Sequence, residues 1–416
     1  MINQYHQLDQ LDQIVIINDF AYVQGGASQV ALSSALALAK NGYNVKLLTA
    51  VGPITPIINH VNLQHICLGQ HDILEDPNRI QAAARGIWNI SAAHAIAQLL
   101  DTLDPTKTIV HVHSWTKGLS SSVVRAAIDM DFIVVCTMHD YFLACPNGGF
   151  FNYPEKSICK LDPLSGACII KNCDSRSYSQ KLWRVARQVV QQHIGFLPKG
   201  VKNFISVSDF SESILKHYLP VGAEIYRVNN PIEIEKDDPV APHKNNAFVF
   251  IGRLSMEKGC HLLAKAGAIL EVETIFVGDG ICRDDLLRIN PSAFITGWLD
   301  RDNMKAYLAK ARTLVLPSLW YETQGLVVLE AAAMGIPAIV PDTSAARDWV
   351  DDGVTGLWFK GGDSDDLAKK MMLLKNNKFA EKAGKAAYEK YWSHAATMQT
   401  HVSELLSCYY RVLSTR

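Results

Sequence analysis

Short, continuous apolar runs alternate with helical patterns along almost the whole chain. A run that is apolar at successive positions, rather than at every second one, is typical of a strand in a parallel sheet covered on both faces. Parallel neighbours need crossover connections, and helical patterns at Gln29–Lys40, about Ile80–Leu100 and His261–Leu270 supply them. The alternation therefore predicts a doubly wound α/β fold. The predicted strands are Gln13–Asn18, Tyr43–Thr49, Thr108–His113, Phe132–His139, Val201–Val207, Ala247–Ile251, Thr274–Val277, Ala293–Thr296, Thr313–Leu316 and Pro337–Val340.

The length of the chain and a polar stretch near its middle indicate two units. The chain has 416 residues, of which 48% are hydrophobic, and this is more than one small core holds. The stretch from Ile232 to Asn246 is charged, contains proline and shows no buried pattern. We predict a Rossmann-like unit over residues 1–233, a second over 234–394 and a C-terminal helix within 395–416. Ligands of such sheets bind at the carboxyl ends of the strands, so we expect a site in the crevice between the two sheets.

Composition limits the partners and the location. The net charge is −1, so no polyanionic partner such as a nucleic acid is implied. The first residues, MINQYHQLDQLDQ, have neither the basic nor the apolar region of a signal peptide. No apolar stretch reaches the roughly 18 residues that span a bilayer. We expect a cytoplasmic protein that can also lie on the inner face of the membrane.

Two glutamates stand close together in the segment from Pro317 to Val340. Glu322 follows a strand, whereas Glu330 lies inside an otherwise apolar helix, where an unpaired carboxylate is costly. Glu330 therefore forms either a buried ion pair with a helix neighbour or a contact with a hydroxyl-bearing ligand. Helix rise allows the two up to about 12 Å of separation, which suits opposite ends of one elongated ligand. The helix start between them, Thr323-Gln324-Gly325-Leu326, offers free backbone N–H groups for an anion, and a nucleotide sugar has all the required groups.

Two cations occupy the loop after the strand Ala247–Ile251. Arg253 and Lys258 lie five residues apart within Gly252–Gly259, a common combination for binding a diphosphate, although a solvated charged turn would have the same sequence. Glycines follow two other strands, at Gly278 and at Gly25-Gly26. Neither place completes the G-x-G-x-x-G pattern, which argues against a nicotinamide or flavin enzyme.

These segments resemble the Glu-x7-Glu and GR-x4-KG motifs of retaining glycosyltransferases with the GT-B fold, in particular glycosyltransferase family 4. The resemblance implies two Rossmann-like domains and transfer of a sugar from a nucleotide diphosphate, without a metal or other cofactor, to a glycan or lipid-linked acceptor. Surface polysaccharide assembly is the expected process. It also implies that Arg253 and Lys258 neutralise the leaving diphosphate, that Glu322 contacts the transferred sugar and that Glu330 binds the ribose hydroxyls. The implied donor contacts are completed by Gly26, Gly278, Thr323, Gln324, Gly325 and Leu326. Gln324 stands where the family usually has an aromatic residue.

The same resemblance assigns roles in the first unit. His113 matches a histidine beside the transferred sugar, and Gly25 and the pair His139-Asp140 match acceptor-side positions. Both histidines also fit a purely structural role, and His111 is expected on the opposite face of its strand with a structural role. A sugar-nucleotide epimerase or hydrolase, or a non-catalytic sugar-nucleotide binding module, would share the crevice.

An insertion at about residues 145–200 departs most from the family pattern. It contains Cys145, Cys159, Cys168 and Cys173, whose spacing allows plain thiols, a structural zinc site or disulfides. Between Lys156 and Lys202, nine basic residues stand against two acidic ones, a net charge of +7. Such a segment forms a solvated basic face or contacts an anionic membrane surface or a lipid diphosphate.

Overall fold

The computed structural model describes residues 11–56 and 58–415. Within this part the chain forms two parallel sheets and a short antiparallel ribbon, which is the predicted α/β architecture with two Rossmann-like sheets. The expectation of no signal peptide concerns the N-terminal segment, of which residues 1–10 lie outside the described part.

The strands are numbered in chain order. They are β1 (Gln13–Phe20), β2 (Asn44–Val51), β3 (Leu63–Gln70), β4 (Thr108–Val112), β5 (Ile133–Thr137), β6 (Phe151–Asn152), β7 (Ser157–Ile158), β8 (Asn203–Ser206), β9 (Glu224–Arg227), β10 (Ala247–Ile251), β11 (Thr274–Val277), β12 (Phe294–Gly297), β13 (Ala311–Val315), β14 (Ala338–Pro341) and β15 (Gly356–Phe359).

The α-helices follow the same numbering. They are α1 (Gly26–Lys40), α2 (Arg79–Ile87), α3 (Ile90–Leu100), α4 (Ser122–Asp129), α5 (Gly166–Ile170), α6 (Tyr178–His193), α7 (Asp209–Leu215), α8 (Cys260–Leu270), α9 (Arg283–Ile289), α10 (Arg301–Ala309), α11 (Leu326–Ala333), α12 (Ser364–Leu374), α13 (Asn377–Ser393) and α14 (Met398–Ser414). None of these described helices combines the length and apolarity needed to cross a bilayer.

Each sheet has one topological switch point among its described strands. The first sheet has the order β3-β2-β1-β4-β5-β8-β9 and the second β12-β11-β10-β13-β14-β15. All neighbouring strands in both sheets are parallel. The order reverses between β1 and β4 in one sheet and between β10 and β13 in the other. At such points the crossover helices leave to opposite faces and a crevice opens at the carboxyl ends of the strands.

Helices cover both sheets, and the chain crosses between them twice. All eight residues of β1 are buried, which explains the apolar run from Ile14 to Ile17 at its centre. The last helix, α14, packs on the first sheet, where Val402, Leu405 and Tyr409 share a core cluster with Ile16 of β1. The helix before it, α13, packs instead against α11 beside the second sheet. The two crossing segments are joined where the N–H of Ile232 donates to the carbonyl of Ala396 at 2.9 Å.

Several local predictions were wrong. The predicted helix at about Ile80–Leu100 is two helices, because Asn89 interrupts it and caps α3 by accepting from the Ala92 N–H. The edge strands β3, β9 and β15 were not predicted. The stretch after Ile232 was expected to lack a buried pattern, yet Ile232 and Ile234 are buried against Leu329 of α11.

Candidate active site

The central strands of both sheets carry the predicted site residues at their carboxyl ends. In the first half, β1 leads to the loop of Gly25 and Gly26, and β4 leads to His113. In the second half, β10 leads to Arg253 and β13 leads to Glu322. These four loops flank the two switch points, where a crevice is expected.

The two halves touch at this crevice. The hydroxyl of Thr323 donates to the backbone carbonyl of His139 at 3.0 Å. A Cβ atom on Gly26 would lie 3.6 Å from Cδ1 of Leu326, so the glycine loop of the first half lies against the start of α11. The structure therefore brings the predicted acceptor-side and donor-side residues together.

Glu322 is held by a cation and a hydroxyl group from its own half. Its Oε1 accepts from Lys258 Nζ at 2.8 Å and from Ser318 Oγ at 2.6 Å. Burial raises the pKa of Glu322, but the ion pair with Lys258 and these hydrogen bonds outweigh it and hold the pKa below its ordinary value. Glu322 is therefore an ionised carboxylate in direct contact with Lys258, another predicted catalytic residue.

Glu330 lies in α11 as predicted, with only 13% of its side chain exposed. Its Oε1 is 3.8 Å from Nη2 of Arg301, which is longer than a hydrogen bond. Arg301 instead donates to Glu233 at 2.5 Å. Burial raises the pKa of Glu330 to about 7, and the opposing charges of Arg301 and Lys305 do not offset this effect. Arg301 is thus only a loose ion-pair partner of Glu330. The carboxylate can still accept hydrogen bonds from a hydroxyl-bearing ligand, which was the other alternative.

The start of α11 leaves several polar groups without partners. The helix begins directly after Gly325, whose φ of +76° suits glycine. The N–H of Val328 donates to the Gly325 carbonyl at 2.9 Å, and the two N–H groups before it have no carbonyl within the helix to accept from them. The side chain of Gln324 is 2% exposed, and neither amide atom has a hydrogen-bond partner among the described residues. A buried amide of this kind costs about 1–3 kcal/mol unless it is satisfied, so a ligand or water is expected there.

Arg253 keeps its charge available. It is exposed, and it forms no ion pair with any residue in the described part of the chain. The loops around it approach one another through glycines. A Cβ on Gly259 would lie 2.0 Å from the Pro317 carbonyl oxygen, and one on Gly278 would lie 2.0 Å from that of Gly252. The structure thus gives Gly278 a packing role, while its donor contact stays a prediction.

His113 and His139 form a buried pair on the first wall of the crevice. Nδ1 of His113 lies 2.9 Å from Nε2 of His139, and Nε2 of His113 has no partner among the described residues. Burial, followed by the neighbouring histidines, lowers the pKa of His113 well below its usual range, and burial lowers the pKa of His139 to about 3. Both rings are neutral at pH 7, so one of these two nitrogens donates to the other, and the contact orients the His113 ring toward the crevice.

His111 is on the same face as His113, and the prediction of opposite faces was wrong. The two ring centroids are 4.1 Å apart, because residues two apart in a strand share a face. Both ring nitrogens of His111 are occupied, by Tyr409 Oη and Thr137 Oγ1, each at 2.6 Å. These bonds give His111 a structural role beneath His113.

Asp140 lies on a loop that α6 supports from behind. Burial raises the pKa of Asp140 to about 6, although a hydrogen bond from the Phe142 N–H and the nearby Arg187 oppose this. The guanidinium of Arg187 is buried, donates to the Pro146 carbonyl and lies 4.7 Å from the Phe142 ring centroid. The sequence interpretation counted Arg187 among surface charges. Gln188 and Gln191 also donate to this loop. Their spacing from Arg187 in the sequence could have indicated that this polar face of the helix points into the protein.

Comparison with known proteins decides the family. Residues 24–236 match the family model described as Glycosyltransferase Family 4, and residues 231–390 match that of Glycosyl transferases group 1. The chain belongs to glycosyltransferase family 4. It is an enzyme of a retaining family whose members transfer a sugar from a nucleotide-sugar donor.

Similar curated proteins match long or short stretches of the chain. An uncharacterized glycosyltransferase of Methanocaldococcus jannaschii is 24% identical over 404 residues, covering 92% of this chain and 95% of that protein. A glycogen synthase of Mycobacterium tuberculosis is 28% identical over 410 residues and 91% of each chain. The sulfoquinovosyl transferase of Arabidopsis thaliana is 33% identical over 176 residues, which is 40% of this chain and only 34% of the plant protein.

Solved structures share the fold at low identity. Sucrose-phosphate synthase from Thermosynechococcus elongatus superposes with a TM-score of 0.70 and 17% identity, covering 97% of this chain and all of that one. The Anabaena protein HepE in complex with UDP superposes with a TM-score of 0.64 and 16% identity, covering 96% of this chain and 100% of that one. At such identity the likeness establishes the GT-B fold alone.

Aromatic side chains that the sequence motifs did not predict form a wall beside the candidate site. Tyr321 lies between the halves, with its ring centroid 5.3 Å from that of Phe210 and 6.1 Å from that of Tyr141. Lys258 Nζ lies 4.9 Å from the ring centroid of Trp320. The signal was present in the sequence, because Trp320 and Tyr321 directly precede Glu322.

The structural zinc in the insertion is not supported. No group of three or more histidine, cysteine or acidic side chains in the described part of the chain is arranged to hold a metal ion. The cysteines are free thiols, and Lys181 Nζ, 3.5 Å from Cys168 Sγ, is buried among them. A buried ammonium group repels a metal cation, and the remaining interpretation, plain thiols, fits. Metal-independent chemistry is general in family 4.

Proposed function

We propose that this enzyme transfers a sugar, with retention, from a nucleotide diphosphate sugar to a hydroxyl group of a glycan or lipid-linked acceptor. The observation that carries the proposal is the meeting of the start of α11 and the Lys258–Glu322 pair with the His113–His139 pair across one crevice. Surface polysaccharide assembly is the process we propose for it. We take residues 1–233 as the acceptor domain and 234–394 as the donor domain.

Each side chain has a distinct task in this proposal. Glu330 accepts hydrogen bonds from the ribose hydroxyls, since its carboxylate lacks a close partner. Arg253, Lys258 and the first N–H groups of α11 balance the charge of the diphosphate as the bond from the anomeric carbon to oxygen breaks. Glu322 and Nε2 of His113 orient the transferred sugar. The acceptor oxygen bonds to the anomeric carbon on the same face, and its proton passes to a phosphate oxygen of the leaving group.

The test is thermal stabilisation by nucleotide sugars. Wild type, Glu330→Ala and Lys258→Ala would be melted with UDP-, GDP-, ADP- and TDP-sugars, beside the exposed control substitutions Lys378→Ala and Glu381→Ala. We expect one nucleotide class to raise Tm in wild type and both controls, with the rise lost in both site variants. No stabilisation by any donor would refute the proposed site.

Product analysis separates transfer from the alternatives. With the stabilising donor and a glycan or lipid-linked acceptor, a new α-linked product is expected from an α-linked donor. A released sugar whose yield is independent of acceptor would indicate a hydrolase, and an isomerised donor would indicate an epimerase. Donor binding with no turnover would indicate a binding module.

A further inference from the structure

An exposed apolar stripe runs along α6 and the turn that follows it. It consists of Tyr178, Leu182, Val189, Ile194 and Phe196, whose side chains are between 39% and 53% exposed. Tyr178, Leu182 and Val189 are four and seven residues apart, so they share one helical face. Large apolar side chains that gather on one surface mark an interaction site more often than scattered ones do.

The opposite face of the same helix holds the acceptor-side loop. Gln188 donates to the Leu143 carbonyl at 3.3 Å and Gln191 to the Phe142 carbonyl at 2.9 Å. Arg187 donates to the Pro146 carbonyl at 3.1 Å. This loop begins at His139 and Asp140, so one helix width separates the apolar stripe from the acceptor side of the crevice.

Cations border the stripe at both ends. Arg176 precedes the helix and is 38% exposed on its side chain, and it shares a shallow cavity of about 200 Å³ with Arg79 and Leu74. Lys199 is exposed just beyond Phe196. Lys181 and Arg187 of the insertion do not contribute to this border because they are buried, and Arg184 does not because it lies 2.8 Å from the buried carboxylate of Asp174.

The acidic groups nearby are mostly neutralised. Asp174 is buried between Arg184, at 2.8 Å, and Arg176, at 3.8 Å; Asp76 pairs with Arg85, and Asp129 pairs with Arg125 beside the Phe196 ring. Glu75 is exposed. The surface around the stripe is therefore apolar at its centre and positive at its ends.

We propose that this face of α6 docks on an anionic lipid bilayer, with the stripe among the acyl chains and Arg79, Arg176 and Lys199 at the headgroups. An apolar helix face with cations at its margin suits the membrane interface. A second copy of the chain suits it less, because a two-fold contact would set the same cations against one another. Docking would deepen the proposed function by presenting the acceptor-side loop to lipid-linked substrate, yet it can be tested without any donor.

The experiment is vesicle flotation of the full chain. Vesicles of phosphatidylcholine alone and with about one third phosphatidylglycerol would be compared at low and high salt. We expect wild type to float with the anionic vesicles and less so at high salt. The double variant Leu182→Asp/Val189→Asp should lose at least about tenfold in bound fraction. The control Val61→Asp/Val354→Asp, which alters exposed apolar residues elsewhere, should float like wild type.

Each other outcome overturns the proposal. Flotation of the stripe variant equal to that of wild type would place the contact elsewhere. No flotation of wild type, together with a dimer in sedimentation that the stripe variant abolishes, would assign the face to a second copy. Donor-induced thermal stabilisation, measured on the same variants without vesicles, shows that they are folded and separates failure of docking from failure of the proposed transferase site.

Discussion

At the scale of single residues, the buried carboxylate of Glu330 lowers the stability of the fold, although we propose that it binds the donor. Burial raises its pKa from 4.5 to about 7, so the folded chain keeps a proton that the unfolded chain loses as pH rises between these values. Stability therefore falls across this window. We expect Glu330→Gln to raise the free energy of unfolding over wild type by up to about 3 kcal/mol at pH 8 and to change little at pH 4.5. Urea unfolding at both pH values measures this difference.

The exposed substitution Glu381→Gln is the control and should behave like wild type at both pH values. The same Glu330→Gln enzyme should lose donor-induced stabilisation, since an amide accepts hydrogen bonds less strongly than a carboxylate. Equal stability of wild type and Glu330→Gln at pH 8 would contradict an uncompensated buried carboxylate.

Residue spacing predicted the segment that holds Glu322 and Glu330 but not their partners. Lys258 is 64 residues from Glu322 and Thr323 is 184 from His139. Such contacts depend on which strands are neighbours in each sheet and on how the sheets face one another. Local sequence patterns do not contain that information, so the Arg301 pair and the Thr323 bridge could not have been predicted.

At the scale of elements, the approach of two loops depends on Gly259. Its φ is +65°, which alone costs alanine roughly 1–2 kcal/mol. The new Cβ would also lie 2.0 Å from the Pro317 carbonyl oxygen, so the loops after β10 and β13 would have to separate. We expect Gly259→Ala to lower the free energy of unfolding by more than about 2 kcal/mol and to reduce kcat by moving Lys258 away from Glu322.

Gly353→Ala provides the matched comparison, because Gly353 also has a positive φ, of +76°, but nothing lies within 4 Å of the place that its new methyl group would occupy. It should show the conformational cost alone, with kcat unchanged. If denaturant unfolding showed the same loss in free energy of unfolding for both variants, the close approach of Gly259 to Pro317 would not contribute to stability.

Sequence patterns predicted the central strands, whose two faces are buried, and missed two edge strands that are only partly buried. The central strands β1, β4 and β10 are apolar at successive positions, so their strand character is evident. The edge strands β3 and β9 are only partly buried and mix polar with apolar residues. The hydrophobic pattern of a sequence reflects which residues are buried. An edge strand is formed by pairing with a single neighbouring strand, so its own sequence carries a weaker pattern.

At the scale of the whole molecule, Tyr321 couples the two halves. Its ring belongs to the second half but packs on Tyr141, Phe150 and Phe210 of the first. We expect Tyr321→Ala to weaken this contact by about 2 kcal/mol and to split a single calorimetric unfolding transition into two. Tyr307→Ala removes an aromatic pair within the second half and should lower Tm without splitting the transition. One transition for both variants would argue against the coupling.

We expect the two segments in which the chain crosses between the halves to act as one pivot. Because Ile232 and Ala396 are hydrogen-bonded there, a relative motion of the halves should be a rotation about this point rather than a sliding of one sheet past the other. The predicted catalytic groups stand on opposite walls of the cleft. A rotation that admits a substrate therefore also pulls these groups out of register, and the reverse rotation restores them. The same rotation would therefore control both the entry of substrate and the alignment of these groups, so a mutation at the pivot would change both together.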